Sequence, residues 1–475
     1  MYRKFAAPSL AVFCFLLVVT SLYLGRERLT WKSNYVPITH EKEQTDESLT
    51  SLTSSVIATA TRAKVEQNSS SSALPSPTSA SLQTPLITNG KNTTFIPFLN
   101  QCAKETGTIL SAERISPYIS AILNSSSTAL PRLECPVLNT NRYKSLQLPQ
   151  KDQEIQDHQI DYFFALNLRN CIDVLPRLVG SIVEAVRFLG PQRCALSIVE
   201  GNSPDGTSDI LSSLQPFLED LGLVYFYNSS SINPAKGNAR IRKLAQLRNL
   251  ALTPLYKEQV RVTEDTTVLF VNDVSACAED LLELALQRRS LNADMTCAMD
   301  WTYVGPDPTF YDIWIARTIA GDSFFEVGSD GNWNSAWNLF WNAPETQSRY
   351  RAQQPFQVFA CWNGATAFTA APLLHGLRFR DVHGDKGECF QGEPQLFCKD
   401  MWHRGYRKIA VVPSVNLEYS DEKAADIKKL KGYVSDIVED QEDNAVDWVF
   451  EPPEQVRCMP TWEKQSWRPW NETLE

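Results

Sequence analysis

The chain has 475 residues, 43% of them hydrophobic, and a formal net charge of −10. This length exceeds that of one small domain, and the hydrophobic content is enough for a sizeable core. The acidic balance argues against a general nucleic-acid binder, which would carry a basic patch or stripe.

The N-terminus contains an uncharged apolar segment, Phe5 to Leu24, directly after Arg3 and Lys4. A helix of this length spans about 30 Å, the thickness of a bilayer core. A cleaved signal peptide is the alternative, but its apolar region is usually shorter and ends in an A-x-A-like site. We therefore expect a cytoplasmic tail at 1–4 and a transmembrane signal anchor at 5–24.

The next region, residues 25–95, contains a long Ser/Thr/Pro-rich stretch with few aromatic residues and is predicted to be a flexible stem. The chain has 11 cysteines, ten of them beyond the anchor, which permits disulfides in an oxidising compartment. N-x-[ST] sequons occur at Asn68, Asn92, Asn124, Asn228 and Asn471. Together these features indicate the secretory pathway.

Beyond the stem, we expect an ordered extension at 96–156, a globular domain at 157–450 and a Trp-rich tail at 451–475. Within the extension, Cys102 and Cys135 are a plausible disulfide pair.

Short apolar runs alternate with helical patterns in the globular domain. Strands are predicted at Tyr162–Leu168, Ala195–Val199, Val224–Tyr227 and Val268–Val271. Helices are predicted at Leu175–Leu189, from Thr207 toward Leu221 with a break at Pro216, and at Ile241–Leu252. This alternation predicts an α/β fold with a mostly parallel sheet and helices on both faces. Ligands of such sheets bind at the carboxyl ends of the strands.

The second strand ends in Glu200 and enters the turn Gly201-Asn-Ser-Pro-Asp-Gly206. A P-loop is excluded because Thr207 stands where Lys is required, and a nucleophile elbow is excluded because Asp205 replaces a glycine. The run Ser203-Pro-Asp-Gly-Thr207 resembles the nucleotide-sugar loop of A-type glycosyltransferases. An ordinary surface turn is the alternative, since these are turn residues in any case.

Further pieces of the A-type pattern follow in order along the chain. The Arg248-Asn249 pair lies on the helix after the third strand, where these enzymes often carry such a pair, although a solvated helix face is the alternative. The fourth strand runs into Asn272-Asp273, the position of the metal-binding D-x-D. Only Asp273 is a carboxylate there, so it is the predicted ligand for Mn²⁺ or Mg²⁺, both of which prefer oxygen ligands.

Two later stretches are candidates for the acceptor side. Glu393 precedes a predicted helix and could orient an acceptor hydroxyl or take its proton; a helix N-terminal carboxylate is the alternative. Cys389 and Cys398 flank it as a possible disulfide. Trp362 and Asn363 resemble an acceptor wall, with a ring to stack on a sugar and an amide to bond hydroxyls, although a core Trp is nearly as plausible.

Metalloprotease and zinc chemistries lack support in the sequence. The five histidines include no H-E-x-x-H motif, and no C-x-x-C pair occurs.

Seven ordered stretches resemble the fungal capsule-associated α-1,3-mannosyltransferase family, and the match covers roughly Cys102 to the C-terminus. They are Phe163-Phe-Ala-Leu-Asn-Leu-Arg-Asn170, Ser197-Ile-Val-Glu-Gly-Asn-Ser-Pro-Asp-Gly-Thr207, Phe270-Val-Asn-Asp-Val274, Asp294-Met-Thr-Cys-Ala-Met-Asp-Trp301, Pro355-Phe-Gln-Val-Phe-Ala-Cys-Trp-Asn-Gly364, Gly387-Glu-Cys-Phe-Gln-Gly-Glu-Pro394 and Val412-Pro-Ser-Val-Asn-Leu-Glu-Tyr-Ser420.

The resemblance implies an A-type glycosyltransferase fold in a single-pass type II Golgi membrane protein with a lumenal catalytic domain. Such an enzyme transfers mannose from GDP-mannose to a mannose-containing acceptor, with a divalent metal and with retention. The predicted donor-binding residues are Glu200, Asp205, Arg248, Asn249 and Asn272.

The remaining roles implied by the resemblance are less specific. Asp273 would hold the metal and Glu393 would position the acceptor. The sugar cation would be stabilised by Glu393, Asp300 or Glu418. A membrane-anchored glycan-binding protein on a decayed transferase fold is the main alternative, because the D-x-D is imperfect. A structural cell-surface glycoprotein is a third, suggested by the stem and sequons.

Overall fold

The computed structural model describes residues 110–147, 159–438 and 445–474. The predicted cytoplasmic tail at 1–4, the anchor at 5–24 and the stem at 25–95 lie outside these residues, as does Cys102. No helix in the described part of the chain is long and apolar enough to cross a membrane.

The four strands predicted from the sequence are present, with bounds within two residues of the predicted ones. The strands are β1 Tyr162–Leu168, β2 Cys194–Glu200, β3 Val224–Ser229, β4 Thr267–Val271, β5 Met295–Tyr303, β6 Pro308–Phe310, β7 Arg317–Thr318, β8 Phe356–Ala360, β9 Ala365–Thr369, β10 Ile409–Leu417, β11 Gln455–Cys458 and β12 Ser466–Pro469.

The helices lie between these strands, with three short 3₁₀ turns at Lys144–Leu146, Pro191–Arg193 and Gly384–Lys386. The described α-helices are α1 Ala112–Leu123, α2 Leu175–Leu189, α3 Thr207–Ser213, α4 Gln215–Asp220, α5 Arg240–Ala251, α6 Thr253–Tyr256, α7 Ala278–Ser290, α8 Pro344–Arg351, α9 Ala371–Leu374, α10 Glu393–His403, α11 Asp421–Lys431 and α12 Val434–Val438.

The main sheet has the strand order β3-β2-β1-β4-β9-β5-β10-β8-β7, with β6 paired to β5. Strands β3, β2, β1 and β4 pair in parallel, and β10 pairs in parallel with β5. Strand β9 runs antiparallel to both β4 and β5, so the latter two point in the same direction. The sheet is therefore mixed but mainly parallel, as the alternation of strands and helices predicted.

Successive residues of β1 explain why both faces of the sheet are covered. Phe164 packs into a core formed with α2, α3 and α7, whereas its neighbour Phe163 packs into the opposite core with α5 and α10. Side chains alternate across a strand, and a strand buried on both faces is continuously apolar. The expected helix after β2 begins at Thr207 and is broken before Pro216, since proline removes a backbone donor.

The predicted C-terminal tail forms the antiparallel hairpin β11–β12, with a paired register from Gln455 to Pro469. Trp462 stacks on Trp314, with their ring centroids 3.7 Å apart. The hairpin is therefore packed against the domain rather than extended from it.

The disulfides differ from both predicted pairings. Cys135 is bonded to Cys277, and Cys389 is bonded to Cys458. A third disulfide joins Cys297 and Cys361. The predicted Cys102–Cys135 and Cys389–Cys398 pairs are wrong because Cys135 and Cys389 have other partners, and Cys398 is a buried free thiol.

Candidate active site

The carboxyl ends of β2, β1, β4, β5 and β10 meet at one edge of the sheet. Glu200 is the last residue of β2, Asp300 of β5 is paired with the last residue of β10, and Asn272 and Asp273 directly follow β4. The parallel register thus brings together predicted site residues that are up to 100 positions apart in the chain.

The turn after β2 is bonded to the loop after β1 through side chains that the sequence singled out. Ser203 Oγ accepts a hydrogen bond from the Asn170 N–H at 2.9 Å. Asp205 Oδ2 accepts from the Ile172 N–H at 3.1 Å, and its Oδ1 accepts from the Thr207 N–H at 3.0 Å. These bonds fix two adjacent loops in one shape at the edge of the sheet.

Glu200 is fully buried and has a structural task in the same turn. Its carboxylate accepts the backbone N–H groups of Ser203 at 2.6 Å and Asn202 at 3.1 Å. Ser229 Oγ at the end of β3 lies 3.4 Å from the second oxygen. Both Glu200 and Asp205 therefore shape the turn. Direct contacts of these carboxylates with the nucleotide-sugar donor stay predictions.

Arg248 and Glu393 form a largely buried ion pair between α5 and α10, with Arg248 Nε 2.8 Å from Glu393 Oε1. The Arg248 guanidinium carbon also lies 4.4 Å from the centre of the Trp362 ring and 5.0 Å from that of Phe270. Cation–π contacts of this kind hold a guanidinium in place. Arg248 and Glu393 were predicted separately, for the donor and the acceptor side, and the structure joins them through an ion pair that sequence reasoning did not anticipate.

Asn249 bonds the backbone of Phe379, whose ring also lies 5.7 Å from the Arg248 guanidinium carbon. Its Nδ2 donates to the Phe379 carbonyl at 2.8 Å, and its Oδ1 accepts from the Phe379 N–H at 3.1 Å. Tyr256 donates to the same oxygen at 3.2 Å. One Nδ2 hydrogen has no partner among these contacts, and the predicted contact of Asn249 with the nucleotide-sugar donor stays a prediction.

The predicted acceptor wall does not fit the structure. Trp362 is 1% exposed and donates from Nε1 to Asn272 Oδ1 at 3.2 Å. Asn363 is fully buried, and its Nδ2 donates to the Ala298 carbonyl at 2.8 Å. Neither side chain can stack on or bond to a sugar from these positions, because tertiary packing places both in the core. The Asn272 Oδ1 holds the Trp362 ring, and the predicted contact of Asn272 with the nucleotide-sugar donor stays a prediction.

Asp273 is half-buried at the edge of the sheet, where burial raises the pKa of its carboxyl group. Across the ranges that the structure describes, no group of three or more His, Cys, Asp or Glu side chains is placed to hold a metal ion. Mg²⁺ is commonly held by only one or two carboxylates together with substrate phosphates. Asp273 is a single carboxylate that could take part in such an open site, and its role as a metal ligand stays a prediction.

Asp300 lies within the carboxyl-terminal half of β5, is fully buried and accepts a hydrogen bond from the Tyr419 hydroxyl at 2.7 Å. Its other oxygen, Oδ1, has no hydrogen-bond partner in the described part of the chain. Burial and the nearby Asp312 hold the pKa of Asp300 well above its ordinary range. Asp300 therefore orients the Tyr419 hydroxyl in this structure, and its predicted role at the reacting centre stays a prediction.

Sequence reasoning missed three residues around Asp300. Tyr311 is 46% exposed, and its ring centroid lies 5.0 Å from that of Tyr419 in an edge-to-face arrangement. Asp312 accepts the Asn363 N–H at 2.9 Å, and burial raises its pKa to about 6. Tyr419 belongs to a stretch that the sequence had marked, whereas Tyr311 and Asp312 lie in a loop with no sequence signal.

Comparison with known proteins identifies relatives of this arrangement. A family model described as Cryptococcal mannosyltransferase 1 matches residues 161–400, which include β1 through most of α10. The chain is 36% identical over 341 residues to Alpha-1,3-mannosyltransferase CMT1 of Cryptococcus neoformans var. neoformans serotype D. That alignment covers 66% of this chain and 72% of the relative.

Solved structures give only distant similarity. The mannosyltransferase PcManGT from Pyrobaculum calidifontis in complex with GDP-Man and Mn²⁺ is 12% identical, with a TM-score of 0.32 over 67% of this chain and 68% of that one. GalNAc-T7 with UDP, GalNAc and Mn²⁺ is 11% identical, with a TM-score of 0.35 over 55% of this chain and 44% of that one. Scores this low carry no functional argument.

Proposed function

Because this chain belongs to the family of cryptococcal mannosyltransferase 1 and is a glycosyltransferase, we propose that it transfers mannose from GDP-mannose to a mannose-containing acceptor. The new linkage would be α-1,3, formed with retention of configuration. The observation that carries the proposal is the 36% identity to an α-1,3-mannosyltransferase, together with the meeting of Asp273, Arg248 and Glu393 at the carboxyl edge of the sheet.

In this proposal the donor lies at the turn after β2 and the loop after β4, on the α5 side of the sheet edge. A divalent cation, Mn²⁺ or Mg²⁺, held by Asp273 and the donor phosphates would neutralise charge on the departing diphosphate. The loops after β1 and β2 supply a fixed shape through Ser203 and Asp205. Preorganised contacts of this kind cost little reorganisation during the reaction.

Glu393 acts here as a positioning residue rather than as a base. Its Oε1 already accepts from Arg248, so its charge holds that guanidinium at the edge of the sheet. A retaining transfer does not require a protein base, because the leaving phosphate can accept the proton of the acceptor hydroxyl. Asp300 in turn holds the Tyr419 hydroxyl toward the same edge.

We also propose the cellular arrangement that the sequence suggests. The uncharged segment at 5–24 supports a single-pass type II anchor in the Golgi membrane, and 25–95 would be the stem. Residues 96–156 would form an extension to the catalytic domain at 157–450, with the Trp-rich segment 451–475 closing the chain.

Nucleotide binding tests the donor part of the proposal independently of catalysis. A ligand that binds only the folded state raises the free energy of unfolding by about 2.7 kcal/mol at one hundred times its Kd. We expect GDP with Mn²⁺ to raise the Tm, and UDP with Mn²⁺ or Mn²⁺ alone to raise it much less. Equal effects of GDP and UDP would reject guanosine recognition.

A further inference from the structure

A cavity of about 780 Å³ opens beside Asp273 on the face of the sheet edge opposite to Arg248 and Glu393. Pockets for small ligands commonly measure about 300–1,000 Å³. One side of the cavity consists of Asn170, Cys171 and Asp173 from the loop after β1, with Asp273 and Tyr419 from the sheet edge. The other side is made by the extension and α11, with lining residues Tyr118, Leu130, Arg132, Leu133, Glu134 and Asp421.

The extension is fixed to the domain and is therefore a permanent wall of this cavity. The Cys135–Cys277 disulfide joins it to the start of α7. At its other end, the Leu110 N–H donates to Asp209 Oδ2 at 2.7 Å. Tyr433 donates to the Glu134 carbonyl at 2.8 Å, which ties the same segment to the region after α11.

The charges that line the cavity select against an anionic ligand. Besides Asp273, which the proposed function assigns to the cation, its carboxylates are Glu134, Asp173, Asp421 and Glu422. The single lining arginine, Arg132, donates to the carbonyls of Ala121, Asn124 and Ser127 and so caps the end of α1. Ionised carboxylates only accept hydrogen bonds, so they match hydroxyl donors and repel phosphates.

The opposite side of the sheet edge carries several basic side chains, of which Arg242 is paired with Asp381 and Arg248 with Glu393. Helix α5 begins with Arg240, Arg242 and Lys243 and carries Arg248 on a later turn. A diphosphate-bearing donor is favoured on this basic side, which leaves the acidic cavity for a neutral ligand rich in hydroxyl groups.

Three tyrosines, Tyr118, Tyr419 and Tyr433, line the cavity and are each half-buried. Aromatic rings supply large apolar faces with a polar tip, which suits the mixed surface of a sugar. We propose that this cavity is the acceptor subsite, that it binds a neutral oligosaccharide, and that the N-terminal extension determines acceptor affinity. This inference rests on the proposed transferase function.

The test compares Tyr118→Ala with Tyr118→Phe, which keeps the ring. The control is Tyr406→Ala, which removes a half-buried tyrosine at the amino-terminal side of β10, outside the cavity lining. With the full chain, GDP-mannose and α-mannobiose, we expect Tyr118→Ala to raise the acceptor KM about tenfold. The KM of this variant for GDP-mannose should change by less than about twofold. In Tyr118→Phe and Tyr406→Ala, the KM for the acceptor and the KM for GDP-mannose should both change by less than about twofold.

A second variant, Asp173→Asn, removes an exposed charge from the cavity and is expected to fold normally. It should raise the acceptor KM without changing the donor KM. An unchanged acceptor KM in both Tyr118→Ala and Asp173→Asn would overturn the proposal, as would an increase confined to the donor KM.

Calorimetric titration of α-mannobiose separates this inference from the proposed function. If the wild-type chain transfers no mannose, the proposed function fails; loss of mannobiose binding in Tyr118→Ala would still support the acceptor subsite. Failure of the wild-type chain to bind mannobiose, or equal binding by wild type and Tyr118→Ala, would overturn the subsite.

Discussion

Arg248 Nε donates to Glu393 Oε1 at 2.8 Å, across 145 residues of sequence, and both side chains are largely buried. Neither residue is notable alone in the sequence, since each has an ordinary explanation on a helix. Together they join α5 to α10 beneath the edge of the sheet. This pair therefore couples the stability of the domain to the position of a guanidinium at the candidate donor site.

The pair predicts an asymmetric mutational response. Glu393→Ala leaves Arg248 buried without its counter-ion and should lower the free energy of unfolding by about 3 kcal/mol. The double variant Arg248→Met with Glu393→Leu should be more stable than Glu393→Ala alone, because an apolar pair carries no desolvation cost. Urea unfolding measures both. A double variant no more stable than Glu393→Ala would contradict this account.

Gly206 is predicted to be required for packing as well as for backbone conformation. It has φ +99°, and an added Cβ would lie 2.4 Å from Leu110 Cδ1 of the extension. Gly237 is the matched control, with φ +75° and no atom within 4 Å of an added Cβ. Gly237→Ala should cost about 1 kcal/mol from backbone strain, and Gly206→Ala at least about 1 kcal/mol more. Equal losses in urea unfolding would reject the contact with Leu110.

Asp312 predicts a pH dependence of stability between about pH 4 and pH 6. Burial raises its folded pKa from 3.8 to about 6, so in this window the native state binds more protons than the unfolded state. Stability contributed by the protonated form is present at about pH 4 and is lost as the pH rises through 6, by about 2 kcal/mol.

Asp312→Asn isolates this effect, because it keeps an oxygen to accept the Asn363 N–H. The free energy of unfolding of the variant, relative to wild type, should increase from pH 4 to pH 7. A difference between the two proteins that stays constant over this range would contradict the assignment.

The Cys135–Cys277 disulfide is predicted to stabilise the domain and to hold the extension in place. It closes a separation of 142 residues, and removing a native disulfide commonly costs about 2–4 kcal/mol. Replacing both cysteines by serine should lower the unfolding midpoint accordingly. Cys398→Ala, which removes a buried free thiol, is the control for lost packing. A double variant no less stable than this control would show that the cross-link contributes little.

Local patterns predicted the regular elements well. Strand β1 and helix α2 have the bounds that their apolar periodicities indicated, because each periodicity belongs to one contiguous segment. The break before Pro216 was predictable for the same reason, since the steric effect of proline is local.

The side-chain environments of the site required tertiary information. Trp362 is in the core because Phe270, Phe379 and Arg248 surround it, and these come from three separate segments. The disulfide partners of Cys135 and Cys389 lie 142 and 69 residues away, beyond any local pattern. A carboxylate at a strand end also does not reveal whether it bonds a ligand or, like Glu200, its own turn.

The most direct test of the account is transfer itself. The full chain is incubated with GDP-mannose, α-mannobiose and Mn²⁺, beside an Asp273→Ala variant, and products are examined by mass spectrometry. The account predicts a product one hexose heavier with the wild-type chain and at least about a hundredfold less with the variant. No heavier product from a wild-type chain that GDP and Mn²⁺ stabilise would contradict the proposed mannosyl transfer.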